Sequence, residues 1–322
     1  MKPKILLIGK TGQVGSELLQ FLLQLGEVVA PARSQMDLSE PNDIRGTIRE
    51  VRPEVIVNAA AYTAVDQAEG EEEKARIINA EAPRVIAKEA KAIGAVIVHY
   101  STDYVFDGLK RTPYEESDRA NPMNVYGKTK LEGEEAIRST GVPHLIFRTS
   151  WVYATRGRNF LLTILRLTTE REELRIVRDQ VGAPTWSREI AGATAEILSQ
   201  VLAGNSAASE FTRHCGTYHM TAAGETTWFD FAKAILEEAA HTPQDTPWFA
   251  AATGGSPLIT NRVLPITTQE YPSPAARPAY SVLSNALLTR TFGVQMQDWR
   301  MQLRLGFSTQ REALKEAATS DY

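Results

Sequence analysis

The sequence predicts an α/β protein built on a doubly wound, Rossmann-like parallel sheet with a smaller C-terminal lobe. Over the first 150 residues, short apolar and β-branched runs alternate with longer helical patterns. A glycine-rich turn follows the first apolar run, and a Ser-Thr-Asp segment follows the fourth. Continuous apolar strands separated by helices indicate a parallel sheet covered on both faces. Right-handed crossovers between these strands give the doubly wound arrangement.

The N-terminal part is expected to contain five strands and four helices. The predicted strands cover residues 4–8, 27–31, 54–57, 95–100 and 144–148, and the predicted helices cover 13–25, 41–51, 71–93 and 124–139. Later in the chain, a strand is predicted at 175–177 and helices at 188–202 and 227–240. The stretch 243–278 is rich in Pro, Thr, Ser and Gly, which predicts surface loops.

Composition narrows the class of protein. The chain has 322 residues, of which 43% are hydrophobic, and a net charge of -4, so it can bury a full core but offers no basic field for nucleic acid. No stretch approaches the roughly 20 apolar residues of a membrane span. The only cysteine, Cys215, excludes an internal disulfide and a multi-cysteine metal site. We therefore expect a cytoplasmic protein that binds neither nucleic acid nor membrane.

The glycine turn predicts a dinucleotide site. It contains Gly9, Gly12 and Gly15 between a predicted strand and a predicted helix, which is the context that a dinucleotide fingerprint requires. Glycines allow close approach of the backbone, and free amides at the helix N-terminus stabilise a pyrophosphate. A purely structural turn is the alternative. We expect an NAD(P)-binding domain at 1–150 and a substrate lobe at 151–322, with some of its segments returning to the first domain.

The end of the second predicted strand bears on cofactor choice. An acidic residue often holds the adenosine ribose there, but this chain has Arg33. A guanidinium is suited to a 2'-phosphate, so NADPH is the predicted cofactor and NADH the alternative. Asp37 and Leu38 follow closely and can contact the adenine edge. The competing interpretation of Arg33 is a solvated surface charge.

The predicted catalytic residues are Tyr126, Lys130 and Thr102. Tyr126 and Lys130 are four residues apart and share one face of a helix, so we expect the ammonium to favour ionisation of the phenol. Tyr126 then donates a proton to a substrate carbonyl, and Thr102 hydrogen-bonds the same oxygen. Lys130 would also hold the nicotinamide ribose. These residues predict a nicotinamide-dependent carbonyl reductase.

Two other residues have competing interpretations. His99 lies in an apolar run and is more simply a satisfied core histidine than a base. Trp151 follows the fifth predicted strand and can either pack against a sugar or base, or belong to the core. The remaining histidines lack the spacing of a zinc site, so no protein-bound metal is predicted from the residues.

Six segments resemble the dTDP-4-dehydrorhamnose reductase family of extended short-chain dehydrogenases/reductases, and the resemblance runs through nearly the whole chain. They are Gly-Lys-Thr-Gly-Gln-Val-Gly at 9–15, Val-Asn-Ala-Ala-Ala at 57–61, Tyr-Ser-Thr-Asp-Tyr-Val-Phe at 100–106, Asn-Val-Tyr-Gly-Lys-Thr-Lys at 124–130, Phe-Arg-Thr-Ser-Trp-Val-Tyr at 147–153 and Asp-Gln-Val-Gly-Ala-Pro-Thr at 179–185. That family reduces the 4-keto group of dTDP-4-dehydro-L-rhamnose with a reduced nicotinamide cofactor, which is the last step of dTDP-L-rhamnose synthesis.

The resemblance implies roles for individual residues. Tyr126 is implied as the proton donor, Lys130 as its partner and Thr102 as the carbonyl hydrogen-bond donor. Contacts to the sugar nucleotide are implied for Thr102, Asp103 and Trp151. Contacts to the cofactor are implied for Gly12, Gln13, Val14, Asp37, Leu38, Ala61, Tyr62, Thr63 and Tyr100.

The same resemblance leaves three points open. Some family members are magnesium-linked homodimers that use glutamates; Glu17 matches one position, but Arg188 stands where another glutamate is expected, and a guanidinium cannot ligate a cation. A homodimer and Mg²⁺ are therefore not fixed by the sequence. The substrate alternative is another nucleotide-linked 4-keto-6-deoxy sugar. The alternative from another class is a cofactor-binding regulatory subunit like that of methionine adenosyltransferase.

Overall fold

The computed structural model describes residues 2–203 and 207–308, and its centre is a six-stranded parallel sheet. The strands are β1 (Lys4–Ile8), β2 (Glu27–Val29), β3 (Val55–Asn58), β4 (Val96–Thr102), β5 (His144–Thr149), β6 (Val152–Tyr153), β7 (Glu173–Val177), β8 (Val181–Gly182), β9 (Thr185–Trp186), β10 (Gly216–His219), β11 (Thr226–Thr227) and β12 (Arg262–Ile266). The sheet order is β2-β1-β3-β4-β5-β10. Every neighbouring pair is parallel, which confirms the predicted fold class.

Helices cover this sheet and build the C-terminal part. They are α1 (Gln13–Leu25), α2 (Pro41–Val51), α3 (Val65–Ala68), α4 (Glu72–Arg76), α5 (Ala82–Ile93), α6 (Val125–Thr140), α7 (Phe160–Glu170), α8 (Ser187–Leu202), α9 (Ala207–Arg213), α10 (Trp228–Ala240), α11 (Pro247–Thr253) and α12 (Ala286–Phe292). Residues 299–308 are also helical. None of these described helices has the length and apolarity that a membrane crossing requires.

The strand order reverses between β1 and β3. Parallel sheets bind ligands in the crevice at such a switch point, outside the carboxyl ends of the strands. The glycine turn follows β1, and an added Cβ at Gly9 would lie 2.8 Å from the backbone nitrogen of Ala60, just after β3. The turn therefore lies directly at the switch point.

Strand ends differ slightly from the prediction. β2 ends at Val29 rather than residue 31, because Pro31 has no amide hydrogen to extend the ladder. β4 continues through Thr102, which pairs with Thr149 of β5. Strand β10 was not predicted; it lies beside β5 and extends the sheet with residues from the second half of the chain.

The predicted helix at 71–93 is interrupted. Residues Ile77–Glu81 form a π-helical turn between α4 and α5. Pro83 lies just beyond this turn, and its ring would clash with the carbonyl of Asn79 in a regular α-helix. The wider turn removes that conflict, and such turns are frequent at functional sites.

The prediction of surface loops at 243–278 was wrong for two segments. This stretch contains α11 and β12, and β12 pairs in parallel with β7. Pro247 occupies the first turn of α11, where proline is favourable because that amide has no partner in the helix. Pro265 lies in a two-stranded ladder, where a missing donor is tolerated at an edge.

Each part of the chain has a buried core of its own. One cluster fills the sheet face under α1 and α8, and another fills the face under α2 and α5. A further cluster, including Tyr153, Phe231 and Phe249, lies among α7, α10, α11 and the helix at 299–308. The division at residue 150 stays a prediction, because β10 and α8 complete the first layer from beyond it.

Candidate active site

Helix α6 begins at a firmly bonded N-terminus. The Asn124 side chain accepts a hydrogen bond from the amide of Gly127 at 2.8 Å and donates one to the carbonyl of Ala276 at 2.8 Å. The Val125 amide donates to a carboxylate oxygen of Glu69 at 2.9 Å. These capping bonds satisfy helix amides that would otherwise lack partners. They fix where the helix begins and so set the direction of the side chains on its first two turns.

Two glycines bring the backbone of α6 against its neighbours. A Cβ at Gly127 would lie 2.1 Å from the carbonyl oxygen of Tyr104. A Cβ at Gly133 would lie 2.1 Å from the carbonyl oxygen of Asn79 in the π-helical turn. A larger residue at either position would push the helix away, since real Cβ atoms do not approach oxygen so closely. The seven-residue span between them includes Lys130, and Tyr126 directly precedes it.

Tyr126 keeps its proton at neutral pH in this environment. Burial raises the pKa of its phenol to about 12; a hydrogen bond that Thr102 can give to the phenolate form lowers it in part, and the negative charge of Asp103 raises it further. The expectation that Lys130 lowers this pKa was wrong, because the Lys130 ammonium faces another partner. A protonated phenol is nonetheless the form that a proton donor needs.

Lys130 is 1% exposed and faces β4. Its Nζ lies 2.6 Å from the carbonyl oxygen of Tyr100 and 3.3 Å from Nε2 of His99. Burial lowers the pKa of Lys130 to about 8, and the nearby charge of Glu134 raises it in part. Lys130 therefore changes charge close to physiological pH.

Thr102 and Asp103 form a buried pair at the end of β4. The Thr102 hydroxyl donates to Oδ1 of Asp103 at 3.0 Å, and Ser150 donates to Oδ2 at 3.1 Å. Burial raises the pKa of Asp103 to about 6, and hydrogen bonds from Ser281, Thr102 and Ser150 oppose that rise. The hydroxyl hydrogen of Thr102 thus points to Asp103, and a line of hydrogen bonds runs from Asp103 through Thr102 to Tyr126.

The glycine turn fits a pyrophosphate. Gly9 has φ of 90°, which favours glycine, and a Cβ at Gly15 would lie 2.1 Å from the Gly9 carbonyl oxygen. Helix α1 starts after Gly12 with no side-chain cap and no acidic residue in its first turn. Its amides and dipole are thus available to an anion, and the turn offers the backbone approach that a dinucleotide requires.

Gln13 and Lys10 connect this turn to other segments. Oε1 of Gln13 accepts a hydrogen bond from Asn159, one residue before α7, at 2.8 Å. Nζ of Lys10 donates to the carbonyl of Ala30, just after β2, at 2.7 Å. Val14 packs against the core cluster under α1. Sequence reasoning missed Lys10, although a lysine inside the glycine turn was a visible signal.

The predicted adenosine end is largely exposed. The side chain of Arg33 is 77% exposed, and its Nε lies 3.3 Å from Oδ2 of Asp37. Asp37 accepts hydrogen bonds from the amide and hydroxyl of Ser39, and these bonds lower its pKa. Leu38 packs against the core cluster that lies under α2 and α5.

The loop at 61–63 is held by Asn79, a residue that sequence reasoning missed. Oδ1 of Asn79 accepts from the amide of Tyr62 at 2.8 Å, and Nδ2 donates to the carbonyl of Tyr62 at 3.0 Å. Ala61 is half-buried and Thr63 is exposed. The π-helical turn therefore directs the buried side-chain amide of Asn79 towards the loop that was predicted to contact the cofactor. Pro83 within a long predicted helix was the available signal.

Tyr100 and Trp151 are placed in different surroundings. The Tyr100 hydroxyl forms a hydrogen bond with Thr194 at 2.6 Å inside the core. The contact with Lys130 is therefore made by the backbone carbonyl of Tyr100 and not by its phenol. Trp151 has φ of 47° and stacks on Trp228 with ring centroids 3.4 Å apart. Trp228 was not predicted as a site residue, because nothing local to its sequence indicates the stacking partner.

A buried ion pair supports the same helix. Glu134 is fully buried and accepts from Nε and Nη2 of Arg148 at 2.9 and 2.7 Å. Ser101 also donates to Glu134, at 2.5 Å. Burial opposes ionisation of Glu134, but the bonds and charge of Arg148 outweigh it and hold the pKa below its usual value. The pair ties α6 to β4 and β5.

Glu17 does not present a free carboxylate to a metal ion. It lies 3.3 Å from Nη1 of Arg188 and 3.7 Å from Nη2 of Arg156. Across residues 2–203 and 207–308, no group of three or more His, Cys, Asp or Glu side chains is arranged to hold a metal. The cationic neighbours of Glu17 do not fit a divalent-cation site.

A glycine turn at the switch point and a Tyr-x-x-x-Lys helix beside the fourth strand characterise extended short-chain dehydrogenases/reductases, and this chain is one of them. The family model described as "RmlD substrate binding domain" matches residues 2–311. The dTDP-4-dehydrorhamnose reductase of Burkholderia thailandensis is 49% identical over 94% of this chain and 97% of its own length. The enzyme of that name from Escherichia coli K12 is 44% identical over 93% and 95%. The chain belongs to the dTDP-4-dehydrorhamnose reductase family.

Solved structures agree with this assignment. The dTDP-4-dehydrorhamnose reductase of Bacillus anthracis, solved in complex with NADP, superposes with a TM-score of 0.82 at 33% identity, covering 96% of this chain and all of that one. A Thermus thermophilus UDP-glucose 4-epimerase complex with NAD has a TM-score of 0.70 at 18% identity, over 96% of this chain and 99% of that one, which shows a shared fold alone. The resemblance seen in the sequence is confirmed.

Proposed function

We propose that this chain catalyses NAD(P)H-dependent reduction of the 4-keto group of dTDP-4-dehydro-β-L-rhamnose to give dTDP-L-rhamnose, the last step of dTDP-rhamnose biosynthesis. The observation that carries the proposal is the line of hydrogen bonds from Asp103 through Thr102 to the protonated phenol of Tyr126. Membership of the reductase family supports the substrate, since curated relatives of the same length have this activity in their names.

Tyr126 donates the proton in this mechanism. A reduced nicotinamide, when bound, would supply hydride to the carbonyl carbon. The phenol of Tyr126 would protonate the carbonyl oxygen. A phenolate then remains, and rotation of the Thr102 hydroxyl lets it donate to that phenolate. A hydrogen bond from Thr102 to the phenolate lowers the pKa of Tyr126, which is the direction that favours proton release. General acids placed in this way contribute roughly two to four powers of ten in rate.

Residues of the sheet edge are proposed to hold the two ligands. Gly9, Gly12 and Gly15 with Gln13 and Val14 would line the pyrophosphate path. Ala61, Tyr62 and Thr63 would line the rest of the cofactor path, and Lys130 would contact the nicotinamide ribose. Asp103 and Trp151 would contact the sugar nucleotide, with Thr102 next to the keto oxygen.

NADPH is the proposed preferred cofactor. Arg33 is exposed and Lys10 reaches the end of β2, so two cations are close to the expected adenosine position. The Asp37 carboxylate in the same region is the feature that would support NADH instead. Mg²⁺ is not part of the proposed mechanism, because Glu17 is paired with arginines.

The test is to follow NADPH oxidation by absorbance with purified protein and freshly generated dTDP-4-dehydro-L-rhamnose, with NADH in parallel. We expect rapid oxidation with formation of dTDP-L-rhamnose. NADPH oxidation only with another nucleotide-linked 4-keto-6-deoxy sugar would identify that sugar as the substrate instead. A folded protein that binds NADPH but turns over neither sugar would support the cofactor-binding regulatory role.

A further inference from the structure

Three buried polar side chains form a line from the end of β3 to Lys130. Asn58, His99 and Lys130 are each 1% exposed. Nδ2 of Asn58 lies 3.2 Å from Nδ1 of His99, and Nε2 of His99 lies 3.3 Å from Nζ of Lys130. The proposed reaction assigns a role to Lys130 but none to the other two. Buried polar groups normally satisfy one another, so the direction of each hydrogen bond in this line has consequences.

The backbone fixes the first of these directions. The amide of Ala60 donates to Oδ1 of Asn58 at 3.2 Å. A backbone amide can only donate, so the oxygen of the Asn58 side chain must face it and the NH₂ group must face His99. Nδ1 of His99 is then an acceptor. Burial and the charge of Lys130 lower the pKa of His99 well below its usual value, so the ring is neutral and its single hydrogen lies on Nε2.

This tautomer aims an N–H group at Lys130. Nζ already donates to the carbonyl of Tyr100 at 2.6 Å. A neutral amine has a lone pair that can accept from Nε2 of His99, whereas an ammonium has none. We propose that His99, oriented by Asn58, is a positioning residue that disfavours the ammonium form of Lys130 and so sets the pH at which Lys130 gains its proton. This inference rests on the proposed role of Lys130.

Other charged and titratable groups also face Lys130. On α6, Tyr126 lies one turn before it and Glu134 one turn after it; the Glu134 charge is shared with Arg148 and Arg138. On β5, His144 acts on His99. All of these groups stay in place in the variants described below, so a change in the behaviour of Lys130 reports on His99 and Asn58.

The direct test is the tautomer of His99 in the unmodified protein. Long-range ¹⁵N–¹H correlation spectra of ¹⁵N-histidine-labelled protein distinguish a ring hydrogen on Nε2 from one on Nδ1. We expect one of the five histidines to be an Nε2–H tautomer that does not titrate between pH 6 and 9, assigned by its loss in His99→Gln. An Nδ1–H tautomer for His99 would overturn the proposal.

Two variants test the consequence for Lys130. In Asn58→Asp the carboxylate accepts from both Ala60 and Nδ1 of His99, so the ring hydrogen moves to Nδ1 and Nε2 accepts from the ammonium. We expect the alkaline limb of the pH profile of kcat/KM to move to higher pH by about one unit. A hydrogen bond to a charged group contributes roughly the free energy that corresponds to one unit of pKa. Asn58→Asp also adds a negative charge, so a second variant without added charge is needed. In His99→Gln the side-chain amide oxygen can face the Lys130 ammonium and accept its hydrogen bond. This variant should move the alkaline limb in the same direction.

The controls separate this inference from the proposed function. His241→Gln, on the surface after α10, should leave the limb unchanged. The pH dependence of NADPH affinity without sugar reports on Lys130 even if the reductase activity itself is absent, so a failed reductase assay does not hide the result. An unchanged alkaline limb and an unchanged NADPH pH profile in a folded His99→Gln variant would overturn the proposal. Should both variants fail to fold, the His99 signal is assigned by elimination, from glutamine variants of the other four histidines, and its tautomer decides.

Discussion

The two ends of the proposed cofactor path differ in how firmly their residues are held. At the reaction end, Thr102, Asp103 and Lys130 are at most 4% exposed and bond to one another or to the backbone. At the adenosine end, the Arg33 side chain is 77% exposed and forms an ion pair with Asp37. Removing the partner of a buried polar group costs more free energy than removing the partner of an exposed one. In the proposed mechanism, chemistry and cofactor choice therefore depend on parts of the protein that tolerate change very differently.

The largest effect is expected for Tyr126→Phe. The ring remains and packs on Tyr104, but the phenol hydrogen that the carbonyl oxygen needs is gone. We expect kcat to fall by roughly 10²–10⁴ while NADPH affinity stays nearly intact. Stopped-flow single-turnover rates and fluorescence titration with NADPH measure the two quantities separately.

Tyr153→Phe is the matched control for that variant. It removes a buried phenol hydroxyl for which no hydrogen-bond partner is found within the described ranges. Turnover should stay at the wild-type level, because this residue belongs to the core of the C-terminal lobe. Near-normal turnover in Tyr126→Phe would show that another group or water is the acid.

Glu134→Gln should have the next largest effect, on stability. It leaves the buried guanidinium of Arg148 without its counter-charge, and breaking such a pair typically costs about 3–5 kcal/mol of the free energy of unfolding. Urea unfolding followed by circular dichroism measures this. The control is Glu170→Gln, which breaks an exposed pair with Arg166 and should cost about 0–1 kcal/mol. Equal losses in the two variants would contradict the contrast between buried and exposed charges.

Asp103 should give the activity an acidic limb. Its pKa is about 6, and protonation removes the negative charge that strengthens the hydrogen bond from Thr102. We expect kcat/KM to fall about tenfold between pH 7 and pH 5, and Asp103→Asn to remove that limb from whatever activity remains. The stability has the opposite dependence: the folded pKa lies above 3.8, so the folded state binds the extra proton and the free energy of unfolding falls as pH rises from about 4 to 6. A flat profile in the wild type would refute this role.

The smallest effect is expected for Arg33→Ala. An exposed charge contributes about 1 kcal/mol, so the KM for NADPH should rise roughly fivefold, with little change for NADH. Parallel steady-state assays with the two cofactors give the ratio. Arg175→Ala, another exposed arginine paired with a glutamate, is the control and should alter neither value. An equal loss with NADH would mean that Arg33 does not contact the 2'-phosphate.

Much of the first half of the fold could be predicted because its signals are local. Helix α1 starts and ends where the glycine turn and the periodic apolar positions predict, and α2 begins at Pro41, a favoured first position. Tyr126 and Lys130 were predicted to share a helix, and they do. The identities of the proposed reacting residues were likewise visible in short motifs, although their roles stay predictions.

Features that depend on contacts distant in sequence could not be predicted. The direction of the Lys130 side chain is set by the carbonyl of Tyr100 and by His99, so proximity to Tyr126 on one helix did not determine the pKa of the phenol. The stack of Trp151 on Trp228 joins residues 77 positions apart. Strand β10 pairs with β5, which lies about 70 residues earlier in the chain. No local pattern carries such information.

The close contacts of Gly127 and Gly133 with Tyr104 and Asn79 have a consequence for motion. A helix that meets its neighbours through main-chain atoms at two points, one on each side of Lys130, has no compressible side chain at which to slide or roll. We therefore expect Tyr126 and Lys130, the proposed proton donor and its partner, to keep their positions during turnover. Any opening and closing must come from segments that approach this helix, and a bulkier residue at either glycine would misalign both ligands at once without touching them.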